Sequence, residues 1–217
     1  MMSRYDAAGI EAEFEPGSRG RVLRNRCGIS GIRAMQFAES LALEAVEEVL
    51  LTRFAAGHRF TADDVRLVHR LWLGDIYQWA GEYRNVNIAK GGFMFAAAQQ
   101  LPRLMDEFEA RFLCPLTPCA GMGEAALVAA LARTHAELVI IHPFREGNGR
   151  CARLLAWLMA LQAGLPPLDF SPLQGHGKRH YIAAIHAAFL GNYEPMETML
   201  SRVVRRTLRA YAPKSVR

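Results

Sequence analysis

Apolar residues recur along most of the chain at alternating steps of three and four, the spacing of an amphipathic helix. The first such run spans residues 32 to about 56 and ends at Gly57. Glycine is unfavourable inside a helix and common just after one. The predicted core-facing side consists of five positions: Met35, Ala38, Ala42, Ala45 and Val49.

The same spacing predicts six further helices. Thr61 and Asp64 resemble a capping box, with Asp in place of Glu, and start a helix through Val65, Val68 and Leu71 to Leu73. The other five are predicted over residues 101–113, 124–141, 154–161, 178–190 and 194–211.

Residues 76–95, IYQWAGEYRNVNIAKGGFMF, break the helical pattern. Their first half is predicted to be a short buried helix anchored by Tyr77 and Trp79. In the second half Val86 and Ile88 alternate with polar residues before two glycines, which predicts a small β-hairpin. The predicted fold class is therefore all-α with one hairpin.

The length of 217 residues favours a single domain. About half of the residues are apolar and 22% are charged, which is typical of a globular chain. The breaker cluster EPGSRG predicts an irregular segment over residues 1–20, followed by one domain over 21–211 and a tail over 212–217.

No apolar run approaches the roughly 20 residues that a membrane span needs, and the N-terminus lacks the apolar stretch of a signal peptide. We therefore expect no membrane association and a cytoplasmic location. The four cysteines form no CxxC pair, so we expect free thiols.

A net charge of +5 suits anionic ligands such as nucleotides and does not by itself require DNA or RNA. Part of the excess comes from four arginines at helical spacing: Arg202, Arg205, Arg206 and Arg209. Such a stripe can bind nucleic acid but is more often a solvated helix face. Because few aromatic residues lie among these arginines, a nucleic-acid partner is not expected.

The stretch HPFREGNGRCAR, residues 142–153, joins two predicted helices. Its glycines at 147 and 149 start the second helix, whose first backbone N–H groups lack partners within the helix and can bind phosphate. Arg150 and Arg153 lie three apart, so both can bind phosphate from one face. These features predict a polyphosphate site.

Two more side chains of this stretch supply chemistry. Glu146 is the available carboxylate for a divalent metal, since Mg²⁺ on nucleotide phosphates usually takes one or two protein carboxylates. His142 titrates near neutral pH in its ordinary state and can accept a proton from a hydroxyl. The combination predicts metal-assisted transfer from a nucleotide to an alcohol.

The dinucleotide fingerprint G-x-G-x-x-A also fits GNGRCA, with Asp169 about where a ribose-binding acid is expected. However, the preceding segment is predicted to be a helix rather than a strand, and Asp169 lies in a proline-rich loop. The context argues against a Rossmann site, and the absence of GxxxxGK[ST] argues against a P-loop.

HPFREGNGRCAR fits HxFx[DE]GNGRxxR at every fixed position and so resembles the signature of the Fic family of nucleotide transferases. The segments EPGSRGRVLRNRCGI and IYQWAGEYRNVNI extend the resemblance over roughly residues 20–205. The resemblance implies an α-helical domain that moves AMP from ATP onto a hydroxyl of a target protein, with Mg²⁺ as cofactor.

Carried over by position, the resemblance implies that His142 deprotonates the target hydroxyl. Phe144 would pack inward and position the loop. Glu146 would hold Mg²⁺ at the α- and β-phosphates.

The resemblance also implies which residues bind the nucleotide. The amides of Gly147 and Gly149, together with Asn148, would bind the phosphates. Arg150 would contact the β- and γ-side, and Arg153 would hold the γ-phosphate.

The hairpin at about residues 85–95 corresponds to the family's flap, which holds a stretch of the target by strand addition. The alternative is an ordinary surface hairpin, which would not need to expose apolar residues as this one is expected to do. The implied target-binding residues are Lys90, Gly91, Gly92, Phe93, Met94 and Phe95.

Many members of the family are inhibited by a glutamate of a motif [ST]xxxE[GN], which pairs with the second motif arginine. Residues 40–45 fit this motif except that Ala45 replaces Gly or Asn, which makes Glu44 the candidate inhibitory residue. The alternatives are a separate small antitoxin-like inhibitor or no such regulation.

Other activities stay open at this point. Doc-type relatives transfer the γ-phosphate but resemble HxFxDANKR, and other relatives use UTP, GTP or CDP-choline. A non-catalytic interaction module is disfavoured, since His142, Glu146 and Arg153 are all present. The expected partner is a protein with a Ser, Thr or Tyr hydroxyl.

Overall fold

The computed structural model describes residue 11 and residues 13–90 and 93–212. In these ranges the chain is mostly helical, with one antiparallel pair of short strands, β1 (Ala89–Lys90) and β2 (Phe93–Met94). The helices are α1 (Ile32–Arg53), α2 (Ala62–Leu73), α3 (Leu101–Phe108), α4 (Cys114–Leu116), α5 (Glu124–Ile141), α6 (Asn148–Gln162), α7 (Lys178–Phe189) and α8 (Glu194–Tyr211). The predicted all-α class with one hairpin is confirmed.

Helices α5 and α6 form the centre of the core. α5 packs against α6, α7 and α8, and α2 packs against both α1 and α6. Both central helices are apolar on nearly all sides, as expected for helices surrounded by others. The short loop between them, residues 142–147, is therefore held at each end by a buried helix.

The capping box at the start of α2 is confirmed. Thr61 Oγ1 accepts the Asp64 N–H at 3.1 Å, and Asp64 Oδ2 accepts the Thr61 N–H at 2.9 Å. Leu71, expected on the core side of α2, is 40% exposed, and Trp72 is buried instead.

The core-facing side of α1 differs from the prediction. Met35, Glu39, Val46 and Leu50 are buried, whereas Val49 is 46% exposed. The apolar spacing does not predict the buried side of α1 correctly, because the buried position 39 holds a glutamate. A carboxylate is buried only where it has partners.

The predicted helix over the first half of residues 76–95 is wrong. This segment consists of turns, although Tyr77 is buried as expected. Gly81 has φ +82°, and its N–H donates to His69 Nδ1 at 2.9 Å instead of to a helical carbonyl. Val86 and Ile88 precede the short strands and form a small apolar cluster with Phe95.

Residues before Arg21, predicted to be an irregular segment outside the domain, contact it. The Glu15 N–H donates to the Val22 carbonyl at 2.9 Å, and Phe14 forms a β-bridge with Leu23. Glu11 is buried, and its carbonyl accepts a hydrogen bond from Arg145 Nε at 2.7 Å. The last residues of the predicted tail, 213–217, lie outside the described residues.

Two further predictions, the solvated arginine face of α8 and the free cysteine thiols, are confirmed. The four arginines of α8 are all exposed; Arg205 lies 3.7 Å from Glu124, and Arg206 pairs with Asp169. All four cysteines are free. Within the described part of the chain, no helix combines the length and apolar character that crossing a membrane requires.

We predict that Thr61→Ala lowers the free energy of unfolding by about 1 kcal/mol, because Thr61 caps a helix that carries buried residues. Urea denaturation measures the change. Thr52→Ala is the matched control, since the Thr52 hydroxyl is exposed and, within the described part of the chain, bonds only the Val49 carbonyl of its own helix. Equal effects of the two substitutions would contradict the capping role.

Candidate functional site

The loop between α5 and α6 is shaped by two residues with left-handed backbone angles. His142 ends α5 with φ 55° and ψ 56°, and Gly147 precedes α6 with φ 82°. Between them, the Asn148 amide closes the turn: its Oδ1 accepts the Phe144 N–H at 2.8 Å and its Nδ2 donates to the Phe144 carbonyl at 2.7 Å. The loop thus has one well-defined conformation.

The imidazole of His142 is neutral and held in one orientation. Its Nδ1 lies 3.0 Å from the Val139 carbonyl oxygen, which can only accept, so Nδ1 carries the proton and Nε2 has the lone pair. Burial lowers the pKa of His142 to about 4. The Phe95 ring stacks on the imidazole at 3.7 Å between centroids.

Glu146 is fixed through its backbone by a second histidine. The His69 Nε2 donates to the Glu146 carbonyl at 3.0 Å, while its Nδ1 accepts the Gly81 N–H at 2.9 Å. His69 is fully buried and stacks on Phe144 at 3.9 Å; burial lowers its pKa to about 4. His69 is therefore neutral and structural.

The carboxylate of Glu146 suits a metal bound mainly by phosphate. Its Oε1 accepts the Gly147 N–H at 3.1 Å, and the side chain borders a cavity. In the described ranges no group of three or more His, Cys, Asp or Glu residues could hold a metal. A single carboxylate on a cavity wall fits Mg²⁺ that takes its remaining ligands from water and phosphates.

The cavity beside the loop has a volume of about 350 Å³. The loop contributes Glu146 and Gly147, and the start of α6 contributes Gly149, Arg150 and Arg153. α1 and the segment before it contribute apolar residues that include Val22, Ile32 and Met35. The structure thus brings together most of the predicted phosphate-binding residues along one wall.

Gly147 at the end of the loop and Gly149 in the first turn of α6 serve different purposes. A Cβ on Gly147 would lie 2.8 Å from the Trp72 ring, so packing and the positive φ both require glycine there. Gly149 has an ordinary helical conformation, and a Cβ there would meet only Arg153 Nη1 at 3.9 Å. The space beside Gly149 is therefore open to a ligand.

Asn148 differs from its expected role as a side-chain ligand of phosphate. Its amide is buried and used on the Phe144 backbone. The backbone N–H groups of Asn148 and Gly149, in the first turn of α6, are what a helix offers to an anion.

Arg150 has a protein partner that the sequence did not indicate. Its Nη1 lies 2.8 Å from Glu39 Oε2, and its guanidinium lies 4.7 Å from the centre of the Trp72 ring. Glu39 also accepts the Tyr77 hydroxyl at 2.7 Å. In the sequence, Glu39 stands within the apolar side of α1. A glutamate at such a position is taken for a surface residue unless its partner is known.

The flap exposes less apolar surface than expected. Met94 is 68% exposed, but Phe93 packs between Phe95 and the α7 residues His186 and Phe189. Lys90 lies on β1 and lines the cavity. The other two predicted flap residues, Gly91 and Gly92, lie outside the described residues.

Glu44, the candidate inhibitory residue, is exposed on α1. A second cavity, of about 440 Å³, adjoins Arg153 and is lined on the α1 side by Leu43 and Glu47.

Comparison with known proteins identifies the loop. The family model described as Fic/DOC family matches residues 59–160. This part of the chain is a Fic/DOC family domain. It contains α2, the flap, the whole loop and α6 up to residue 160, and so covers the site apart from α1 and the N-terminal segment.

Relatives match nearly the whole chain. Protein adenylyltransferase Fic of Nematostella vectensis is 29% identical over 95% of this chain and 47% of its own length. Protein adenylyltransferase VbhT of Bartonella schoenbuchensis is 27% identical over 83% of this chain and 37% of its own length. The chain spans less than half the length of these curated relatives.

Solved structures share the Fic/DOC fold. The Bartonella tribocorum BepC protein with bound AMPPNP has a TM-score of 0.69 at 23% identity and covers 88% of this chain and 94% of its own. The N-terminal Fic domain of a Bartonella quintana cell filamentation protein with bound ADP has a TM-score of 0.69 at 26% identity, covering 88% and 92%.

We predict that alanine at Gly147 and alanine at Gly149 have different effects on stability and on nucleotide binding. Gly147→Ala destabilises the protein, since the new Cβ meets Trp72. Gly149→Ala leaves stability unchanged or raises it by up to about 1 kcal/mol, but weakens nucleotide binding by about tenfold or more, or ~1.4 kcal/mol. Thermal denaturation and titration calorimetry measure the two quantities. Wild-type nucleotide affinity in Gly149→Ala would show that no ligand approaches this backbone.

Proposed function

We propose that this protein transfers AMP from ATP to a hydroxyl side chain of a target protein and releases pyrophosphate. The observation that carries the proposal is a neutral, oriented His142 base in the same short loop as a helix N-terminus that borders an arginine-lined cavity. The names of the relatives, protein adenylyltransferases, support the choice of reaction, and the ADP bound to the Bartonella quintana domain supports an adenine nucleotide.

In the proposed reaction, His142 Nε2 takes the proton of a Ser, Thr or Tyr hydroxyl of the target. The hydroxyl oxygen bonds to the α-phosphorus, the bond from that phosphorus to the bridging oxygen breaks, and pyrophosphate leaves with the electron pair. The amides of Asn148 and Gly149 hold phosphate oxygens in place. Arg153 holds the far end of the triphosphate, and Arg150 contributes from its position beside Glu39.

Glu146 is the residue that would hold Mg²⁺, whose charge, when it is bound, offsets that of the phosphates. The hydrogen bond from His69 to the Glu146 carbonyl keeps this residue at the cavity wall. The flap would supply the backbone edge on which a stretch of the target adds as a strand.

Two observations support regulation by a separate antitoxin-like protein rather than by Glu44. Glu44 is exposed, and the second cavity gives a side chain of another protein access to Arg153. An acidic side chain from such a partner would reach the γ-phosphate position.

The proposed activity is tested with ATP labelled at either the α- or the γ-phosphate, in the presence of Mg²⁺ and a bacterial lysate. We expect label on a target protein from the α-position alone. His142→Ala should lower the rate by about 10²–10⁴-fold, the usual contribution of a general base. His180→Ala, at an exposed histidine of α7, is the matched control. Label from the γ-position would instead establish phosphoryl transfer. Label that appears only with another nucleotide would show that the donor is not ATP.

We predict that the transfer rate stays nearly constant from neutral pH down to about pH 5 and falls to half at about pH 4. A base acts in its neutral form, and burial lowers the pKa of His142 to about 4, so protonation removes the activity only as pH falls through that value. The measurement is the rate at saturating nucleotide across this range, with circular dichroism as a check of folding. A half-maximal rate close to the ordinary pKa of histidine would contradict a buried base.

A further inference from the structure

Arg84 is a buried arginine whose guanidinium bonds only to backbone carbonyls among the contacts of the described residues. It is 2% exposed and lies between α2 and β1. Its Nε donates to the His142 carbonyl at 2.8 Å, its Nη1 to the Val86 carbonyl at 2.7 Å, and its Nη2 to the Ala96 carbonyl at 2.5 Å. Its own N–H donates to the Pro143 carbonyl at 2.9 Å.

These carbonyls belong to two separate parts of the site. His142 and Pro143 are the start of the loop, whereas Val86 and Ala96 lie on the two stems of the flap, before β1 and after β2. Phe95, adjacent to Ala96, is the residue that stacks on the His142 ring. The Arg84 guanidinium therefore fixes both the backbone of His142 and the flap stem that carries Phe95, whose ring packs against His142.

The backbone of His142 needs such support. A positive φ is unfavourable for a residue other than glycine and persists only where the surrounding structure enforces it. Burying a guanidinium is itself unfavourable, and burial lowers the pKa of Arg84 to about 10 although the charge of Glu11 acts in the opposite direction. A residue needed only to fill space would not have to be an arginine.

We propose that Arg84 is a positioning residue that holds His142 and the flap in a single arrangement, so that a target hydroxyl held at the flap meets Nε2. The proposal rests on the transfer reaction proposed above. It assigns Arg84 no contact with nucleotide or target, and Arg84 does not line the cavity.

The choice of variants follows from the three hydrogen bonds. Arg84→Lys keeps the charge, but a single ammonium group cannot reproduce the planar fork that reaches three separate carbonyls. Arg84→Gln removes the charge and keeps a donor. Arg66→Lys is the matched control, because Arg66 also donates from Nε to a carbonyl, that of Gly81 at 3.0 Å, but lies on the outer side of α2 with Glu82 as partner.

Three quantities are measured for each variant. For both Arg84 variants we expect unchanged ATP affinity by calorimetry and a transfer rate at saturating ATP that falls about 10²-fold, the size associated with a displacement of about 1 Å. We also expect amide hydrogen exchange at Phe95, whose N–H donates to the Ile88 carbonyl at 3.1 Å, to rise at least about tenfold, since the stem loses its anchor. Arg66→Lys should change none of the three.

Two results would overturn the proposal. The first is an unchanged transfer rate and unchanged exchange at Phe95 in Arg84→Lys. The second is a parallel loss of ATP affinity and transfer, which would make Arg84 a general stabiliser of the fold. The exchange measurement needs no nucleotide chemistry, so it tests the link between loop and flap even if the wild-type protein transfers no AMP.

Discussion

The double hydrogen bond between the Asn148 amide and the Phe144 backbone is the contact on which the site depends. It ties the first residue of α6 back across the turn, and this sets the direction in which α6 begins. It also presents the Phe144 ring to His69, whose two ring nitrogens then join Glu146 to Gly81. His142, the Glu146 carboxylate and the N-terminus of α6 are consequently parts of one small rigid unit between two buried helices.

The two buried histidines beside the loop, His69 and His142, have different roles. Burial lowers the pKa of both to about 4, so both rings are neutral at physiological pH. His69 uses both nitrogens in hydrogen bonds to the backbone, whereas in the described part of the chain His142 uses only Nδ1. A lowered pKa alone would not distinguish the structural ring from the ring proposed as the base; the hydrogen bonds of the two rings differ.

The loop and most helices could be predicted from the sequence because their signals are local. The loop residues lie within twelve positions, and the helix over 194–211 matches α8 at both ends. Glu39, His69 and Arg84 could not be recognised, because each acts on a distant part of the chain; Arg84 lies 58 positions from His142, and His69 lies 77 from Glu146. The short helix predicted around Tyr77 failed for a related reason, since the N–H of Gly81 is bonded to His69 rather than within a helix.

The pairing of Arg150 with Glu39 has a consequence for the overall charge of the cavity. Four cationic side chains, those of Arg21, Lys90, Arg150 and Arg153, line it together with the carboxylates of Glu39 and Glu146, which leaves a surplus of two positive charges. A free nucleoside triphosphate carries more negative charge than this surplus can neutralise. A divalent cation would remove the difference, so under the proposed function the charge of the cavity suits the metal complex of the nucleotide better than the nucleotide alone.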